Sequence, residues 1–179
     1  MTELSFTLFP FPDQNLPDIQ ITGQISRKNN LLTVHYSLTG SVEVVLFPSA
    51  SLQPARKDDL WKATCFEFFL SIPNQPQYWE FNMSPSGHWN VYKMDAYRRV
   101  GFREETQFQQ LPFSYGIGAG YISVKVAVDL SPIIQAKDTI QAGVTSIIRT
   151  RDSHESYWAL AHPQPQADFH LRESFVLKI

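Results

Sequence analysis

Alternation with a period of two is the feature that most restricts what this chain can fold into. Ile19, Ile21 and Ile25 are interleaved with Asp18, Gln20, Thr22 and Gln24. After Lys28-Asn29-Asn30, Leu32, Val34, Tyr36 and Leu38 are interleaved with Thr33, His35, Ser37 and Thr39. Successive strand residues face opposite sides of a sheet, so this stretch is a one-faced hairpin joined by an asparagine turn. Further strands are expected over Trp61 to Ile72, Tyr78 to Ser84, Trp89 to Met94, Gly120 to Leu130, Ile140 to Arg149, Ser156 to Ala161 and Phe175 to Ile179. Val42 to Phe47 reads as a short apolar run closed by Pro48; Ser49 to Asp59 and Arg98 to Pro112 read as connections. The only helical signal is about a turn over Ser131 to Lys137, behind Asp129 and with Pro132 near its start. No repeat or composition shift divides residues 1–179. Nine or ten short strands with hairpin-sized links predict one all-β domain, a single antiparallel β-sandwich of immunoglobulin-like or jelly-roll-like two-sheet architecture.

Composition bears on class and compartment. The chain has 15 Lys+Arg against 17 Asp+Glu, a formal charge of −2. That balance argues against nucleic acid as the main partner, which asks for a net basic face. Aromatics at 13% with only 18% charged residues are the opposite of a disordered composition. Cys65 is the sole cysteine, so no internal disulfide forms. Met1 to Asp13 has neither a basic n-region nor a long apolar core, and no apolar run reaches the ~18 residues that span a bilayer. The expectation is a cytoplasmic protein without a membrane partner.

Register can be read for the middle strands, because apolar faces must match. Pairing Phe68 with Met83, Leu70 with Phe81 and Ile72 with Trp79 closes one hairpin around Pro73 to Gln77. Pairing Met83 with Trp89 and Phe81 with Val91 closes the next through Pro85-Ser86-Gly87, with Gly87 as the left-handed residue. Phe66, Phe68, Leu70, Phe81, Met83, Trp89 and Val91 then share a core face. The opposite face gathers Glu67, Glu80, Asn82, His88, Asn90 and Tyr92, and this polar surface is the best site candidate in the sequence.

Chemical motifs are sparse. No G-x-S-x-G, H-E-x-x-H, Walker A or C-x-x-C is present. Gly116 to Gly120 is glycine-rich but lies outside any βαβ unit, and reads as a flexible loop. Glu67 and Glu80 on adjacent strands could act as an acid/base pair on a glycoside; a solvated or ligand-facing role is the simpler reading. His162, Asp168 and His170 could hold a divalent metal, or simply bond loop backbone around Pro163 and Pro165. Met83 or Met94 with a histidine could ligate haem, although Met83 falls on the core face. Cys65 reads as a buried small hydrophobe. Arg98, Arg99 and Arg103 form a short basic cluster beside Tyr97 and Phe102, suited to a solvated loop or to one acidic ligand group. Trp79 and Trp89 fall to the core, while Trp61 and Trp158 could be rim aromatics for a flat ligand.

Leu60 to Leu70 (LWKATCFEFFL), Tyr78 to Tyr92 (YWEFNMSPSGHWNVY), Ser156 to His162 and Asp168-Phe169-His170 together resemble the DOMON-like ligand-binding domains, relatives of family 9 carbohydrate-binding modules. The resemblance covers roughly residues 17 to 179. It implies a β-sandwich that binds haem or sugars on the concave face of one sheet. The resulting expectation is a non-catalytic domain for a carbohydrate or similar small polar ligand. Its site would comprise Trp61, Glu80, Asn82, Tyr92, Arg98, Trp158 and His162, with no resident cofactor. A protein-interaction platform on the same sandwich is the alternative, and an enzyme built on the carboxylates or the His/Asp cluster ranks last.

Overall fold

The computed structural model describes residues 2–13, 15–98 and 100–179. Twelve strands are found among them: β1 (Thr2–Pro10), β2 (Ile19–Lys28), β3 (Leu31–Gly40), β4 (Cys65–Ser71), β5 (Tyr78–Met83), β6 (Trp89–Met94), β7 (Arg103–Glu104), β8 (Phe113–Gly118), β9 (Tyr121–Asp129), β10 (Gln141–Arg149), β11 (Glu155–Ala159) and β12 (Leu177–Lys178). Helical structure among the described residues is confined to single 3₁₀ turns at Val42–Val44, Leu60–Lys62 and Arg172–Ser174. The turn expected over Ser131 to Lys137 closes through Ile133 and Ile134 N–H on the Leu130 carbonyl but does not continue as a helix. Arg27 explains why it stops. Its guanidinium, buried under the sheet, donates to the Gln135 and Asp138 carbonyls, which a longer helix would need for itself.

All strand pairs are antiparallel, and the expected two sheets turn out to be continuous. The order is β7-β6-β5-β4-β10-β11-β1-β2-β3-β9-β8, with β12 on the first residues of β10. The link is β1, whose residues were not expected to form a strand. Thr2 to Leu8 pair with β2, and Phe9 and Pro10 cross to pair with β11. The result is one all-β sheet curled on itself, its two halves facing each other across one core. Tyr36 on β3 lies 5.3 Å from Phe66 on β4 and donates its hydroxyl to the Glu67 carbonyl at 2.6 Å. Phe6 and Gly23 stand opposite each other in β1 and β2. Gly23 breaks the apolar series of β2 because any side chain there would run into the Phe6 ring and the His35 carbonyl.

The register of β5 with β6 is as expected, including Met83 opposite Trp89 and a three-residue turn with Gly87 at φ 91°. Between β4 and β5 it is not. Phe68 pairs with Phe81, not Met83, and Ser71 with Tyr78, two residues away from the expected alignment. A two-residue slip keeps every side chain on its face, so hydrophobic pattern cannot distinguish the alignments. The Ile72 to Gln77 loop, with Asn74 at φ 63°, and the stack of Phe68 on Phe81 at 4.4 Å accompany the observed one. Two further departures concern Phe113 to Gly118, an edge strand where Gly116 to Gly120 read as a loop, and Arg103–Glu104, a short strand inside the expected connection.

The halves differ in how they are covered. β2, β3 and β9 alternate buried with exposed residues, as a sheet with one wet face must. In β4 and β5 every residue is buried. Their second face is roofed by the segments around Trp61, Phe102 and Phe169 to Phe175, which leave a cavity over the polar floor. Gly143 belongs to this design: the Phe175 ring lies where its Cβ would be.

Candidate functional site

Two cross-strand rows build the cavity floor. Asn90, Asn82, Glu67 and Thr145 form one across β6, β5, β4 and β10; Tyr92, Glu80, Phe69 and Gly143 form the next. The corrected register sets Glu67 directly opposite Asn82 and diagonal to Glu80, closer than the expected alignment would allow. The cavity over these rows has a volume of about 750 Å³, within the range of small-ligand sites. Aromatic walls rise from it: Trp61, Phe102, Tyr157 and Phe169.

The floor is polar and nearly dry. Glu67 is 2% exposed and Glu80 5%. Asn82 donates its amide to Glu80 Oε1 at 2.8 Å, and Thr145 Oγ1 reaches Glu67 Oε2 at 3.4 Å. Among the described residues, Glu67 Oε1 and Asn82 Oδ1 are buried without a hydrogen-bond partner. Loss of water raises the proton affinity of both carboxyls. Glu80 is pushed up to about 7, against which the Asn82 bond works only in part. Glu67 is raised well above the carboxylate range by burial first and by Glu80 second. Cys65 beside them is driven up by its burial and by the same two acids, so it is a thiol and not a nucleophilic thiolate.

The mouth is held by charge. Arg98 pairs with Asp168 at 2.8 Å, Tyr97 Oη donates to the same carboxylate at 2.7 Å, and the His170 N–H donates to its other oxygen at 3.0 Å. Burial opposes ionisation of Asp168, yet these donors hold it below its ordinary value. On the opposite side Tyr92 Oη donates to Asp58 at 2.8 Å, stacks on Phe102 at 4.7 Å and meets Trp61 edge-on.

The seven residues proposed from sequence divide accordingly. Trp61, Glu80 and Arg98 line the cavity, and Asn82 and Tyr92 stand directly behind it. Trp158 is elsewhere. It is 3% exposed in the core, its indole N–H on Ser156 Oγ, because parity along β11 sends Tyr157 to the cavity instead. His162 also lies apart, its Nε2 2.9 Å from the Phe9 carbonyl and its ring edge-on to Phe11. With His162 there, the set His162, Asp168 and His170 does not converge, and no group of three potential metal ligands occurs among the described residues. Asp168 and His170 serve the cavity instead, the latter with Nδ1 2.9 Å from Tyr78 Oη. Of the two methionines considered for haem, Met83 is in the core and Met94 in the aromatic packing around Phe69 and Phe175, and neither lines the cavity. In the basic cluster Arg103 is bound by Asp95 at 2.8 Å, and Arg99 lies outside the described residues. Sequence reasoning missed Phe69, Tyr157 and Phe169; the period-two parity that placed Phe68 in the core already placed Phe69 opposite.

No protein-family model matches the sequence, nor does any curated protein. Solved structures do resemble the fold. A protein from Bacteroides uniformis assigned to carbohydrate binding superposes with a TM-score of 0.68 at 13% identity, over 93% of this chain and 83% of that one. A family 9 carbohydrate-binding module from Caldicellulosiruptor kristjanssonii, solved in complex with cellotriose, superposes with a TM-score of 0.53 at 10% identity, over 84% of this chain and 70% of that one. At such identities the likeness is one of fold. No helix among the described residues is long and apolar enough to cross a membrane.

Proposed function

We propose that this chain is a non-catalytic carbohydrate-binding domain of the DOMON-like and family 9 kind, a curled-sheet sandwich that takes its sugar in the cavity over Glu67 and Glu80. The observation that carries this reading is the combination of aromatic walls with a buried floor on which two oxygens, Glu67 Oε1 and Asn82 Oδ1, lack a donor among the described residues. A pyranose suits that combination, since its C–H faces pack on Trp61 and its hydroxyls donate to fixed carboxyl and amide oxygens. The fold likeness to carbohydrate-binding proteins supports the reading, as does the cellotriose bound by one of them. The cytoplasmic setting expected from the lone Cys65 belongs to the same proposal.

Titration with cellotriose and a panel of mono- and disaccharides, followed by tryptophan fluorescence, tests it. Trp61 is half-buried at the cavity, so occupancy should shift its emission. Trp61→Ala is expected to weaken binding by about tenfold or more, the scale of a ~1.4 kcal/mol contact. Trp158→Phe should leave affinity unchanged while lowering stability, since that indole is in the core. Absence of binding across the panel would sink the proposal.

A further inference from the structure

The cavity's charge is unbalanced in one direction. Five carboxylic residues line it, Asp58, Asp59, Glu67, Glu80 and Asp168, against Arg98 as the sole Lys or Arg in the lining among the described residues. Arg98 is already engaged by Asp168, and the exposed Lys62 outside the cavity engages Asp59. Among the described residues no ion pair reaches Asp58, Glu67 or Glu80. Glu67, more buried than Glu80, keeps an oxygen with no donor among the described residues although it lines the cavity. Around this floor stand Trp61, Phe69, Phe102, Tyr157 and Phe169, whose ring faces carry the negative side of the π quadrupole.

We propose that the cavity selects a ligand bearing a protonated amine, seated on Glu67 and Glu80, so that within the carbohydrate reading it is a site for amino sugars rather than neutral ones. This step rests on the proposed sugar-binding function and sharpens it. A neutral hydroxyl could donate to Glu67 Oε1 but could not compensate the charge that either carboxyl would carry on ionising in a dry site. An ammonium brings three donors and the missing positive charge together, and gains from the aromatic walls. Because burial leaves Glu67 and Glu80 protonated in part near neutral pH, seating an ammonium expels a proton from the pair. Other titratable groups surround the pair: Cys65 on β4, Tyr78 on β5 and Tyr92 on β6 stand on the same sheet face behind the lining, all raised by burial foremost, and Tyr157 on β11 lines the cavity. Asp58, Asp59, Asp168, Arg98 and His170 complete the set at the mouth. Tyr36, which donates to the Glu67 carbonyl from the core side, is likewise held protonated by burial.

Isothermal titration calorimetry on the full chain decides the matter, with a chitosan trisaccharide, cellotriose, the N-acetylated trisaccharide and spermidine as probes. Each is measured near pH 7 in two buffers of different ionisation enthalpy. The expected result is binding of the chitosan trisaccharide about tenfold or more tighter than cellotriose, with fractional proton release because the amine takes up part of the proton that the carboxyls lose, and with larger release for the fully charged spermidine if it binds. Glu67→Gln and Glu80→Gln should each remove most of that preference and reduce the release, with folding verified by thermal melts. Cellotriose or the N-acetylated sugar binding as tightly as the amine overturns the ammonium proposal while the sugar reading stands. Proton release that persists in the double variant also overturns it, because the proton then comes from a group other than the two carboxyls. Spermidine binding as tightly as the amino sugar upholds the ammonium and removes the sugar reading. No binding by any probe removes both.

Discussion

Glu80→Gln should make the protein more stable at pH 8 and change little at pH 5, the reverse of what loss of a stabilising ion pair would do. In the unfolded chain a glutamate titrates near 4.5, and in the fold Glu80 titrates near 7 because it is buried. Between those values the folded state holds a proton that the unfolded state has released. Stability therefore falls as pH rises through this window, and the loss is complete above the folded value. For Glu80 alone the difference is on the order of 3 kcal/mol. Glutamine keeps the acceptor that Asn82 uses at 2.8 Å and carries no charge to desolvate. In a domain of this size the gain at pH 8 corresponds to roughly 6–12 °C in Tm. Urea unfolding of both proteins from pH 5 to pH 8 measures it, and parallel stability curves would show that the buried carboxyl carries no such penalty. Glu67→Gln is expected to act in the same direction, since Glu67 is raised by the same burial.

Phe68→Ala should cost about 3–5 kcal/mol, the range for removing a fully buried aromatic. Phe68 has no exposed surface and stacks on Phe81 at 4.4 Å with rings nearly parallel. It sits where β4 faces the other half of the curled sheet, so the void cannot be filled from solvent or by a mobile loop. Against a total stability of ~5–15 kcal/mol, the variant should lie near the edge of folding. Equilibrium unfolding in urea gives the number, and a loss below about 1 kcal/mol would mean the stack is not part of the supporting core. Phe69→Ala, one residue along, is the informative contrast: it faces the cavity, so it should impair ligand binding as well as stability.

Much of this architecture is legible in the chain itself. The faces of β2, β3, β4, β5 and β6 follow from alternation, and Gly87 marks its turn by needing a left-handed backbone. That Glu67, Asn82 and Asn90 share one polar face was legible for the same reason, but not that Glu67 stands directly opposite Asn82. Failures occurred where parity carries no information. The slip between β4 and β5 moves by two and leaves the faces alone. β1 carries the alternation Leu4, Phe6, Leu8, but its role as the strand joining both halves depends on its edges, which side chains do not encode. Trp158 is the exception, since parity along β11 does separate it from Tyr157 and sends it to the core; His162 is joined to β1 by a contact across 153 positions of sequence.

Local sequence thus determined that the chain forms antiparallel strands, which side chains share a face, and that one face of the central strands carries carboxyls and amides. Those are short-range consequences of backbone pleat and side-chain polarity. Tertiary structure alone decided that this polar face is roofed instead of wet, that Asp168 and Arg98 meet across 70 positions to hold its mouth, and that Glu67 is left with an unmet oxygen at the bottom. Each depends on segments brought together by the closure of the sheet, and only that closure removes the water that raises the two carboxyls.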